Sequence, residues 1–323
     1  ARGVAGLAAL LIVLGGCRRA DSAAASDRPV ERADQASADP DDNWPLFRGD
    51  PAASGVARGT LPQKLDVLWT FSVDDGWFEA TAAIAGATVY VGSTEGNLYA
   101  VGLVDGKQKW MFAGDDGFTA APAVRGGSVY LGDSYGKFYC VDARTGKPKW
   151  SFETEAEINS AANFYRDNVL FGSQDGMLYC LQADTGEKVW QYQSDDMIQC
   201  SPTVAADRTF VAGCDGQLHV IDLAGGKLVA KVDLGAPTLC TPAVLGSTAF
   251  VGTHGSRFLA VDWRQAKVLW SYENAERQAP FHSSAAVTER IVVVGGQDKL
   301  VHALDPKTGG KRWTFPAPRK VDS

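Results

Sequence analysis

The chain alternates short runs of β-branched and aromatic residues with Gly, Asp, Asn and Ser turns. In one stretch the runs at 120–124, 128–132, 137–141 and 147–152 predict four strands. Arg125-Gly126-Gly127 closes the first hairpin and Ser134-Tyr135-Gly136 the second, while Asp142-Ala143-Arg144-Thr145-Gly146 turns into the fourth strand.

The pattern repeats. Trp69, Trp110, Trp150, Trp190, Ala230, Trp270 and Trp313 share one slot at intervals of 41, 40, 40, 40, 40 and 43 residues, bounding six full repeats. Eleven residues before each later member stands Tyr99, Tyr139, Tyr179, His219, Leu259 or His302, and nineteen earlier again a small residue: Ala80, Ala120, Ser160, Cys200, Cys240 or Ser283. Both spacings hold in every repeat, so length varies only between the Trp slot and the small slot. Four strands per unit at this period predict an all-β fold, a β-propeller whose four-stranded blades pack radially and expose only short edges. Ser323 falls where the next repeat would place its small residue, and Trp69 reads as the last strand of a blade whose other strands are missing. The chain is therefore expected to be truncated at both ends, with seven or eight blades in the full ring.

Composition narrows the function classes. Among 323 residues, 31 basic and 38 acidic side chains leave a net charge of −7, without the basic stripe that phosphate neutralisation requires, so no nucleic-acid partner is expected. His219, His254, His282 and His302 form no metal-spaced pair, and His219 and His302, in the slot that elsewhere holds Tyr, are read as packing residues. Cys140 and Cys180 share one slot, Cys200 and Cys240 another, and equivalent slots of neighbouring blades lie too far apart for a disulfide, so buried free thiols are expected. Cys214 stands alone in a turn. There is no nucleophile elbow and no phosphate loop.

The stretch from Val141 to Trp150, Val-Asp-Ala-Arg-Thr-Gly-Lys-Pro-Lys-Trp, resembles the pyrroloquinoline-quinone (PQQ) propeller repeat, and Ala303 to Trp313 matches equally well. The Gly leaves room for a neighbouring Trp to dock across the blade interface, and the Asp can bond the turn backbone. Gly102 and Gln182 in the Asp slot, Ala266 in the Gly slot and Ala230 in the Trp slot depart from the pattern. The lead-in Trp44-Pro45-Leu46-Phe47-Arg48-Gly49-Asp50 also resembles the family's, and its Arg-Gly-Asp triplet is not read as an adhesion signal. The resemblance implies one of two branches: quinoprotein dehydrogenases holding PQQ with calcium, or non-catalytic BamB-like lipoproteins that scaffold outer-membrane protein assembly. The enzyme branch in many members needs adjacent cysteines beneath the quinone, and none occur here, so no cofactor is expected and a periplasmic PQQ-dependent dehydrogenase is the alternative. A sugar- or peptide-sensing propeller is a third reading.

At the N-terminus, Arg2 precedes an apolar stretch from Val4 to Leu14, and Leu14-Gly15-Gly16-Cys17 resembles the bacterial lipobox. Residues 1–16 are thus expected to be a lipoprotein signal peptide, Cys17 the lipidation site, 17–42 a disordered tether rich in Ala, Ser, Asp and Arg, and 43–323 the propeller. This places the protein in the cell envelope, lipid-anchored at the outer membrane and facing the periplasm.

The variable segments join the outermost strand of one blade to the innermost strand of the next, so they converge on one rim. They carry Asp74, Asp75 and Glu79, then Asp115 and Asp116, then Glu153, Glu155 and Glu157, then Asp195 and Asp196, with Trp77-Phe78 in the first and Arg277 in the sixth. Acids around exposed aromatics fit a basic protein partner docking on this loop face.

Overall fold

The computed structural model describes residues 43–322. Its described residues form twenty-four strands in six sheets, each a simple antiparallel meander of four consecutive strands. In blade 2 these are Ala123–Arg125, Ser128–Gly132, Lys137–Asp142 and Pro148–Glu153. First strands of consecutive blades pack on one another, as Thr203–Ala205 does on Asn163–Tyr165 and Ala243–Leu245, so they surround the axis. The second and third strands supply nearly continuous buried runs, and the fourth alternates exposed and half-buried residues at the circumference. This is the expected propeller of four-stranded blades.

The inner strand is shorter than the sequence pattern predicts, beginning at Ala123 rather than residue 120. Pro122 has no N–H for a ladder. In later blades the preceding N–H is used between blades: Ala161 N–H donates to Ser201 Oγ, Ser201 N–H to Thr241 Oγ1 and Thr241 N–H to Ser284 Oγ, at 3.0, 2.9 and 3.0 Å. These residues belong to neighbouring blades, not to one sheet.

Trp110, Trp150, Trp190 and Trp270 of the outer strands dock on the turn between the third and fourth strands of the next blade, and Trp69, expected in a last strand, lies in none of the described strands, having no described strand to pair with, yet docks in the same way on blade 1. A Cβ at Gly146 (φ +70°) would lie 2.6 Å from the Trp110 ring, and Gly106, Gly186, Gly226 and Gly309 stand likewise against Trp69, Trp150, Trp190 and Trp270. Each indole N–H donates to a carbonyl of the same turn, Trp110 to Ala143 at 3.0 Å. By the same register, the two alanines that break the repeat fall at one blade joint: Ala230 occupies the Trp position facing the turn whose Gly is replaced by Ala266. Trp263 of that turn lies beside Ala230 and Val229, packs on Phe210 and donates to the Gly246 carbonyl. Trp313 ends the series, 42% exposed.

Residues 43–55 cross the axis as a strap. Trp44 pairs with Ile84 in both directions, and N–H groups of the equivalent residues Val124, Val204, Val244 and Val287 donate to the carbonyls of Pro45, Pro51, Ala52 and Ser54. In blade 3 the corresponding Phe164 N–H bonds Asn163 Oδ1, and Asn163 Nδ2 reaches the Pro51 carbonyl instead. The Asp50 carboxylate caps the loop through Ala52 and Ser54 N–H and the Ser54 hydroxyl. Arg48 of the Arg-Gly-Asp triplet is in left-handed conformation (φ 62°), and burial lowers its pKa.

Candidate partner-binding face

In an antiparallel meander the interblade linkers and the turns between the second and third strands share one face; the other two turns share the opposite face. Backbone bonds tie linker to turn on the first face: Ser134 N–H to the Gly117 carbonyl, Gln174 to Glu157, Cys214 to Met197 and Thr94 to Trp77. The predicted linker residues therefore stand on one rim.

Their electrostatic states differ. Asp115 accepts from Lys137 Nζ at 2.8 Å and Asp195 from Lys231 Nζ at 2.5 Å, and these ammonium partners hold both carboxyl groups below their ordinary pKa. Glu79 accepts the Trp77 indole N–H, and Glu157 the Gln174 amide. Asp116 and Asp196 cap the N–H groups of Gly117 and Met197. The carboxylates of Asp74, Asp75 and Glu155 have no hydrogen-bond or ion-pair partner among the described residues. Arg277 is exposed and contacts the Asp298 carbonyl.

Sequence reasoning overlooked residues in the second-to-third-strand turns that join this rim. Tyr135 is 74% exposed at the tip of its turn beside the Asp115–Asp116 linker, and Trp77 is 60% exposed. An aromatic at the apex of a turn was the available signal, because a turn tip cannot bury it. Met197 and Leu239 add apolar exposure on neighbouring linkers.

Behind the rim, carboxylates of the same turns accept from the Tyr/His slot. Tyr139 donates to Asp133 at 2.8 Å and Tyr179 to Asp175 at 2.7 Å, while His219 and His302 bond Asp215 and Asp298. Both histidines are buried, and Tyr192 and Tyr272 engage their Nδ1 atoms, which fits packing roles. His254 and His282, 28 residues apart in sequence, are brought together with ring centroids 4.4 Å apart. No group of three potential metal ligands is gathered among the described residues. The described cysteines are free, and burial pushes the thiols of Cys180, Cys200 and Cys240 up to about 12.

Blades of four strands locked by Trp–Gly contacts, with linkers gathered on one rim, define a PQQ-like repeat β-propeller. A family model described as outer membrane protein assembly factor BamB matches residues 63–199 and 174–321, and the chain belongs to that family. Among solved structures it is similar to BamB from Moraxella catarrhalis, at 18% identity and a TM-score of 0.68 over 78% of this chain and 80% of that one. It is also similar to the computationally designed protein Ika8, at 16% identity and a TM-score of 0.58, covering 76% and 88%. No curated protein matches the chain.

Proposed function

We propose that the protein is a non-catalytic, lipid-anchored propeller that presents its loop rim to a basic protein surface, as a scaffold in outer-membrane protein assembly. The observation that carries this reading is the joining of unpartnered Asp74, Asp75 and Glu155 with exposed Trp77 and Tyr135 on one face. Carboxylates steer a basic partner and two rigid aromatics anchor it. Membership of the BamB family supports the scaffold role at family level. Lipidation at Cys17, the signal peptide 1–16 and the tether 17–42 lie outside the described residues; the first two rest on the lipobox and the tether on its composition, and a lipid on Cys17 would hold the ring at the outer membrane facing the periplasm.

A photo-crosslinking residue placed at Trp77 or Tyr135 tests the face in the envelope of a Gram-negative host. The expected result is one recurrent protein adduct from both positions, weakened by charge reversal at Asp74 and Asp75. Crosslinking only from the opposite face would overturn the proposal. Palmitate labelling lost in Cys17→Ser tests the anchor, and saturable PQQ binding with calcium-dependent alcohol oxidation would replace the scaffold by the dehydrogenase reading.

A further inference from the structure

The net charge of −7 averages over two unlike faces. Opposite the acidic rim, the turns that end the first and third strands carry exposed cations: Arg125, Arg144, Arg166, Lys227, Arg264 and Arg290. None of these six has an ion-pair partner among the described residues. Three guanidinium groups lie over aromatic rings, Arg125 over Phe164 at 5.2 Å, Arg166 over Tyr165 at 5.0 Å and Arg264 over Trp263 at 5.0 Å, so their charge stays unneutralised. Many carboxylates of this face are turned into their own loops: Asp142, Asp222, Asp262 and Asp305 each accept backbone N–H groups. Asp167, Asp184, Glu187 and Glu289 remain beside the cations.

The strap starts on the same side. Asn43 Oδ1 accepts from Gly86 N–H at 2.7 Å in the first turn of blade 1, so the first described residue of the strap stands on the basic face. From these two observations we infer that this turn face docks on an anionic lipid surface, with the acidic rim turned away from the membrane. The inference extends the anchored reading above, because a lipid on the N-terminal segment would draw this face toward the bilayer. An array of exposed, unpaired cations suits phospholipid headgroups, each Lys or Arg near the surface strengthening partition about fivefold.

The protein carrying Cys17→Ser, which lacks the lipobox thiol, is sedimented with vesicles of phosphatidylglycerol and phosphatidylcholine and with phosphatidylcholine alone. Binding to the anionic vesicles only, abolished by raised salt, is the expected result. Replacing Arg125, Arg166 and Arg264 together by Gln should lower partition about a hundredfold, whereas Arg257→Gln on the rim face should leave it unchanged. Equal binding to neutral vesicles, no binding to either, or an equal loss in Arg257→Gln would overturn the inference, as would binding to double-stranded DNA without vesicle binding. Because the assay bypasses acylation, Cys17 palmitoylation with no vesicle binding would refute the docking face and leave the anchor standing.

Discussion

At Gly146 an added Cβ would lie 2.6 Å from the Trp110 ring in a backbone held at φ +70°, so two independent costs meet at one atom. Gly146→Ala is expected to destabilise by about 2–4 kcal/mol from ring clash and left-handed strain together, and by only about 1 kcal/mol in a Trp110→Ala background, where strain alone remains. A denaturant double-mutant cycle measures the difference; zero coupling would show that ring and turn do not share space. The Ala230 and Ala266 departures, which look independent in sequence, are this cycle's double variant as the chain already carries it. In the Tyr/His slot, burial lowers the His219 pKa below its ordinary 6.5 despite the opposing pull of Asp215. The unfolded chain therefore takes up the proton first, so the stability that neutral His219 contributes is present above 6.5 and is lost as pH falls below it toward the folded value. His219→Tyr should flatten the fall of the melting temperature between about pH 7.5 and 5, since Tyr139 shows that a phenol fits this slot and bonds its turn carboxylate. Burial raises the thiol of Cys214 as well as those of Cys180, Cys200 and Cys240, but Cys214 alone of these is half-exposed, so brief iodoacetamide treatment should modify it first among them, and mass spectrometry that finds Cys200 labelled in the native protein would contradict this.

Among elements, the strap is the part least legible in the sequence. Its residues have no strand periodicity, and it bonds the inner strands through its own carbonyls, whose pairing depends on which N–H groups the ring leaves open. The inner strands themselves were read too long, because alternation cannot register that an N–H is claimed by the next blade's hydroxyl, as Ser201 N–H is by Thr241. The strap makes a prediction proper to its scale. Gly49 stands at φ +87°, where a Cβ would lie 2.6 Å from the Trp44 ring, so Gly49→Ala should loosen the strap. Amide exchange at Val124, Val204, Val244 and Val287 should then accelerate together, though these residues lie in four different blades. Phe164 N–H, bonded by its neighbour Asn163, should remain slow. Acceleration in blade 2 alone would mean that the strap does not act as one unit.

For the whole molecule, charge is segregated along the propeller axis, acids at the linker rim and unpaired cations at the turn face, so an approaching partner meets an oriented field rather than a uniform −7. Association with a basic partner at the rim should slow markedly as ionic strength rises from about 50 to 200 mM, with dissociation little changed; stopped-flow mixing reads the two rates separately. The sequence by itself determined the repeat, the four-stranded blade, the Trp–Gly joint and the rim on which the linkers lie, because each depends on residue spacing within about forty positions and on local turn chemistry. Only the tertiary structure decided the strap across the axis, the meeting of Ala230 with the Ala266 turn, the close approach of His254 to His282, the exposure of Tyr135 and the face on which the cations gather. These are relations between residues in different blades or on opposite ends of strands, and such relations come into being when the ring closes the distance between them.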